Sequence, residues 1–137
     1  MRVELVDIED VKEEWQTAHR VKALAVNGRS PALDALADWK KNQRADYKKI
    51  VKALRLAAAN DRVLNENHVK WSPDQGVGEM RAHRGHARLF FFYTEDEEEI
   101  VVCTNAYWKA KPSRAEQDTE FRRCAQFKRI YRTCWCR

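Results

Sequence analysis

The stretch from residue 76 to residue 109 limits the fold more than any other part of the chain. It reads Gly76-Val-Gly-Glu-Met-Arg-Ala-His-Arg-Gly-His-Ala-Arg-Leu-Phe-Phe-Phe-Tyr, then an acidic segment over Thr94–Glu99, then Ile100-Val-Val-Cys-Thr-Asn-Ala-Tyr-Trp-Lys. β-Branched and aromatic residues gathered in short runs between turn residues predict three consecutive antiparallel strands. Arg84-Gly85 predicts a two-residue hairpin turn, because glycine tolerates positive φ. That turn sets Arg81 opposite Arg88, Glu79 opposite Phe90 and His83 opposite His86. Strand alternation then sends Leu89, Phe91 and Tyr93 to one face, for burial, and Arg88, Phe90 and Phe92 to the other, with Arg81, Glu79 and His83.

The segments before this sheet predict what covers it. Residues 2–7 and 20–26 alternate as short strands, and Asn27-Gly28 ends the second. Between them, Ile8, Val11 and Trp15 have helical spacing over Asp7–Trp15. Ser30-Pro31 is a helix start, a capping hydroxyl followed by proline at the first helical position. Leu33, Leu36 and Ala37 give this helix its apolar stripe, with Trp39 near the edge. A second helix over Gln43–Ala59 buries Tyr47, Ile50, Val51, Leu54, Ala57 and Ala58, and carries Lys48, Lys49, Lys52 and Arg55 outside. The short Lys40–Asn42 connection predicts an antiparallel helix pair. Residues 60–75 are polar and irregular, with brief order around His68–Trp71. Ser113, with Glu116 three residues on, caps a last helix carrying Phe121, Cys124, Phe127, Ile130 and Tyr131. The chain should fray over residues 132–137.

One domain accommodates all 137 residues, with residues 1–18 as an acidic N-terminal extension. No apolar run approaches the ~18 residues that span a bilayer, and the acidic start Met-Arg-Val-Glu-Leu-Val-Asp predicts no secretory leader. These features predict a cytoplasmic protein with no membrane association, whose four cysteines are reduced thiols. Cys134-Trp-Cys136 is shorter than a zinc knuckle and has no matching second pair, so neither a metal site nor another cofactor is expected. The net charge of +5 is uneven. Residues 1–18 hold two basic against six acidic side chains, and residues 107–137 hold nine basic against three acidic. The basic end fits an anionic partner, or a solvated helix face.

The chemistry concentrates on the arginine face of the sheet. Two arginines directly opposed repel each other. The pair is understandable if an anion binds between them, or if Glu79 lies close enough to offset it. Phosphate suits the guanidinium fork. If Phe92 pairs with Val101, Asn105 falls beside Arg88, and Tyr107 and Lys109 continue that face. Arg81, Arg88, Tyr107, Lys109 and Lys111 then line a basic, aromatic concavity, the combination that single-stranded RNA or DNA needs.

Three segments carry a resemblance. Asn27-Gly-Arg-Ser-Pro-Ala-Leu-Asp-Ala-Leu with the lysine-rich helix behind it, Gly78-Glu-Met-Arg-Ala-His-Arg-Gly-His-Ala-Arg-Leu-Phe-Phe-Phe-Tyr, and Val101-Val-Cys-Thr-Asn-Ala-Tyr-Trp-Lys-Ala-Lys-Pro occur in this order within residues 20–131. They resemble phage-derived HigB-type proteins of the RelE/ParE superfamily, toxins of type II toxin–antitoxin systems. The resemblance implies an α+β, RelE-like fold, with a helical hairpin packed on a twisted, mainly antiparallel sheet and a C-terminal helix. It implies a ribosome-dependent endoribonuclease (an mRNA interferase) that cuts mRNA in the decoding site by attack of the 2′-hydroxyl, without metal. Its partners would be mRNA on the ribosome and a cognate helix-turn-helix antitoxin. Such chemistry needs a base, positive charge on the phosphorane, and an acid for the leaving oxygen.

By the resemblance, Arg88 grips the scissile phosphate, and Arg81 and Lys109 add positive charge. The resemblance assigns no general base; His83 or His86, or the phenol of Tyr107 or Tyr131, is the candidate for proton transfer. Lys111, Arg84, Asn105 and Arg114 complete the set as RNA contacts. Lysines that some relatives carry on the second strand are replaced here by Val77 and Glu79. Two other classes therefore stay open, a ParE-like, non-enzymatic gyrase inhibitor and a non-catalytic prophage accessory protein that binds RNA or protein.

Overall fold

The computed structural model describes residues 1–134. Six strands form one sheet: β1 (Val3–Asp7), β2 (Val21–Val26), β3 (Val69–Ser72), β4 (Val77–Arg81), β5 (Ala87–Tyr93) and β6 (Val101–Trp108). Their order is β1-β2-β6-β5-β4-β3, and all neighbours are antiparallel except β2 and β6. The helices are α1 (Pro31–Asn42), α2 (Arg44–Ala59) and α3 (Arg114–Cys134), so the class is α+β. No helix among the described residues is long and apolar enough to cross a membrane.

Local chemistry accounts for the helix boundaries. The Ser30 hydroxyl accepts from the Leu33 amide at 3.2 Å, and Pro31 occupies the first turn. Gln43 alone separates α1 from α2. The Ser113 hydroxyl accepts from the Glu116 amide at 3.2 Å and starts α3. This helix stays regular to Cys134, so residues 132–134 are not frayed. Cys136 lies outside the described residues.

The period-two pattern of β5 divides the core. Leu89, Phe91 and Tyr93 pack with Leu36, Trp39, Ile50 and Leu54 of the helix pair. Phe90 and Phe92 pack with Phe121, Cys124 and Tyr131 of α3. The entire strand is buried, because helices cover both faces. On α1, Trp39 is buried and Ala37 is exposed, the reverse of their expected places on the stripe.

The N-terminal segment departs from its helical spacing. Only Glu13–Trp15 forms a short 3₁₀ turn. Ile8 and Val11 still reach the core, but the chain between them makes a tight turn, closed by the Val11 amide donating to the Ile8 carbonyl at 3.0 Å. Asp7 pairs with Lys22, and Asp10 accepts from the Tyr47 hydroxyl and lies 3.5 Å from Lys40 Nζ. The segment thus adds β1 as an edge strand on β2, far in strand order from the arginine hairpin.

Candidate functional site: a cationic pocket beside the β4–β5 hairpin

The hairpin register places the two arginines as its turn predicts. Arg81 pairs with Arg88 and Glu79 with Phe90. The turn itself differs. Ala82 and Ala87 close a four-residue loop, and the positive φ falls on Arg84 at 60° instead of on Gly85. Gly85 serves a close approach. A Cβ there would stand 2.7 Å from both carboxylate oxygens of Asp46. From the first turn of α2, Asp46 accepts from the amides of His86 at 2.6 Å and Ala87 at 2.9 Å. The hairpin tip is thereby fixed to a helix, through a residue that sequence spacing did not single out.

Glu79 lies under the arginine pair and is fully buried. Its Oε1 is 3.0 Å from Arg81 Nε and 3.9 Å from Arg88 Nε, ion-pair contacts outside hydrogen-bonding alignment. The Gln117 side-chain amide of α3 donates to both carboxylate oxygens, at 3.1 and 3.2 Å. The carboxylate offsets one of the two guanidinium charges and leaves the other in excess. Arg88 Nη1 also donates to the carbonyls of Ala87 at 2.9 Å and Gly85 at 3.2 Å. Burial pushes the Arg88 guanidinium below its ordinary value, Glu79 opposes this, and Arg81 adds to it. Arg81 Nη1 donates to the Glu66 carbonyl at 3.2 Å.

Above these groups lies a cavity of about 220 Å³, lined by Glu66, Asn67, Arg81, Ala82, His83, Arg84 and Arg88. It brings together four of the expected residues, Arg81, His83, Arg84 and Arg88. Tyr107 and Lys109 lie outside its lining, and Tyr107 lines a separate cavity with Trp108, Glu116 and Glu120. Tyr107 pairs directly with Arg88 across β5 and β6, and its hydroxyl is buried without a hydrogen-bond partner among the described residues. Burial, and then Glu79, push this phenol up to about 12. Lys109 is pushed down from the usual lysine value, first by burial and then by Arg88, with Arg81 and Lys70 acting in the same direction. Lys70 sits opposite Glu79 in the β3–β4 register, and the sequence reading overlooked it.

The structure corrects the register of the third strand. Phe92 pairs with Val102, and between Leu89 and Phe91 the ladder shifts so that Leu89 meets Ala106. The one-residue offset at Phe92 and this β-bulge, which gives β6 an extra residue, together put Tyr107, not Asn105, beside Arg88. Asn105 is fully buried under α3, where its amide donates to the Glu120 backbone and side chain at 3.1 Å each. Burial therefore removes Asn105 from the surface available to RNA.

The other expected residues lie at the margins. His86 is exposed; its Nδ1 lies 2.8 Å from the Lys109 carbonyl and its ring is 4.9 Å from that of Trp108. These contacts place it at the outer side of the tip, away from the pocket lining. Lys111 is exposed beyond β6. Arg114 lines a separate cleft between β3 and α3, with Lys70, Trp71 and Gln117.

Elsewhere, His19, Asp61 and Glu99 bring potential metal-ligand atoms within 4.8 Å of one another. The two His19 nitrogens already lie 2.7 and 2.8 Å from the carbonyls of Glu99 and Asp61. The histidine thus ties the β5–β6 turn to the segment after α2.

No protein-family model matches the chain, and no curated protein sequence matches it.

Proposed function

We propose that the protein is the toxin of a type II toxin–antitoxin pair with a RelE/HigB-like fold, an endoribonuclease that cuts mRNA in the ribosomal decoding site. The observation that carries this reading is the directly opposed Arg81–Arg88 pair at the cavity, with Lys109 and Tyr107 beside it. Opposed guanidiniums held on a rigid sheet suit the equatorial oxygens of a pentavalent phosphorane. His83, on the cavity wall, is the candidate base for the 2′-hydroxyl. Lys109, whose proton is loosened by burial and by Arg88, is the candidate acid for the 5′-oxygen. The helix pair on one sheet face and the C-terminal helix on the other support the family reading made from the three sequence segments. An acidic antitoxin segment over the same cations would silence the site.

A second reading has one observation in its favour. Glu79 already provides a buried counter-ion for the arginines, which suits an RNA-binding protein without cleavage.

Induced expression followed by primer extension on cellular messages tests the reading, with wild type beside Arg88→Ala. The expected result is ribosome-dependent cuts that fall about a hundredfold in the variant, the ~3 kcal/mol typical of one lost transition-state contact. Equal cutting by the variant would refute the site. Intact messages with bound RNA would favour the second reading, and accumulated gyrase–DNA cleavage complexes would favour a gyrase inhibitor.

A further inference from the structure

The exposed side of α2 carries a row of cations that the pocket does not use. Arg44, Lys48, Lys52 and Arg55 are all exposed and recur at intervals of four, four and three residues. Like charges at this spacing destabilise a helix. None of the four has an ion pair among the described residues. The acidic side chain of α2, Asp46, is turned onto the hairpin tip.

Other regions of the surface mix paired cations with unpaired ones, such as Arg122 and Arg129 of α3, which have no ion pair among the described residues. At the β1–β2 edge, Arg2 pairs with Glu4 and Lys22 with Asp7. On and beside α3, Arg123 pairs with Glu120, and Lys128 and Arg132 share Glu95. Arg55 and Arg44 have partial anchors, the first over the Trp15 ring at 4.9 Å and the second donating to the Lys40 carbonyl at 3.4 Å. Lys48 and Lys52 have neither, and stand free for a ligand.

The row connects to the pocket. His83, on the cavity wall, has its ring 6.4 Å from that of His68. Burial, and then the charges of Lys52 and His83, push the His68 imidazole down. Asp46 fixes the hairpin to the first turn of α2, so pocket and helix keep one geometry. Four residues of helix rise ~6 Å, on the order of the distance between neighbouring phosphates of one strand. A regular line of unpaired cations suits a regular line of phosphates, and a discrete acidic epitope needs no such repeat.

We propose that the exposed face of α2 is a second docking surface for the phosphate backbone of RNA, continuous with the Arg81–Arg88 pocket through His83 and His68. The proposal rests on the RNA reading above and extends it to a strand that leaves the pocket and crosses the helix.

The test measures the salt dependence of binding for two single-stranded RNAs, of about 4 and about 16 nucleotides. The short one reaches the pocket alone and the long one reaches α2. In Lys48→Gln/Lys52→Gln, the slope of log K against log salt for the long RNA should fall by about 1.4, two phosphate contacts at ~0.7 each. The slope for the short RNA should not change. Both substitutions are exposed and helix-compatible, and circular dichroism checks the fold. An unchanged slope for the long RNA overturns the proposal, as does failure of the wild type to bind it. Polyglutamate that binds the wild type and not the variant, while RNA binding is equal in the two, would assign the face to an acidic protein instead. Message cleavage with an unchanged slope removes this surface and leaves the nuclease. A reduced slope with intact messages removes the nuclease and leaves the surface.

Discussion

Glu79 is the residue on which the arginine pair depends. A fully buried carboxylate between two guanidiniums lowers a repulsion that would otherwise push the strands apart. Gln117 satisfies it from the opposite side, so α3 helps to hold the charge in place. Breaking a buried ion pair by removing one partner costs about 3 to 5 kcal/mol. Glu79→Ala should therefore lower the urea-derived unfolding free energy by that order. A loss below about 1 kcal/mol, the size of an exposed pair, would show that the arginines are held by their backbone contacts alone. Glu79→Gln keeps the shape and the Gln117 side, and should cost less than alanine.

The joint between α2 and the β4–β5 hairpin is the element-level device that positions the pocket. Two backbone amides at the tip, His86 and Ala87, donate to one carboxylate, and Gly85 lets that carboxylate approach. Hydrogen bonds to a charged acceptor contribute about 1.5 to 3 kcal/mol when buried, and these lie partly at the surface. Asp46→Ala should lower stability by about 1 to 3 kcal/mol, with the amides of His86 and Ala87 exchanging with solvent much faster than the rest of β5. Uniform acceleration across the sheet would mean that the tip has no local anchor. Gly85→Ala should loosen the same joint, because its methyl group would displace Asp46.

At the scale of the molecule, both sheet faces are covered, and this sets the alkaline limit of stability. The phenols of Tyr47, Tyr93 and Tyr107 are all pushed up, first of all by burial. The unfolded chain releases these protons near pH ~10, while the folded chain keeps them. Above that pH the folded state binds more protons than the unfolded one, so stability falls as pH rises. The urea midpoint should decline from about pH 10 upward, and phenolate absorbance of the native protein should lag behind that of unfolded chains. A midpoint that stays flat while the unfolded chain ionises would contradict the burial of these rings.

The sequence by itself determined the elements whose cause is local. The Ser30-Pro31 start, the α1–α2 pair, the hairpin register that opposes Arg81 and Arg88, and the two faces of β5 follow from capping, turn geometry and strand alternation. The possibility that Glu79 offsets the arginines followed from the same register. Tertiary structure decided the rest. The bulge in β6 is out of reach of alternation, because it accompanies the packing of α3 over Thr104 and Asn105. There the Thr104 hydroxyl donates to Asn105 Oδ1 at 2.7 Å and Asn105 donates to Glu120. That packing buried Asn105 and delivered Tyr107 to Arg88. Asp46, Lys70 and Gln117 carried no local signal, since each matters through a partner 38 or more residues away or on another strand. The N-terminal helix failed for the same reason: Asp7 and Asp10 found Lys22, Lys40 and Tyr47, and those long-range contacts outweighed the helical spacing of Ile8, Val11 and Trp15.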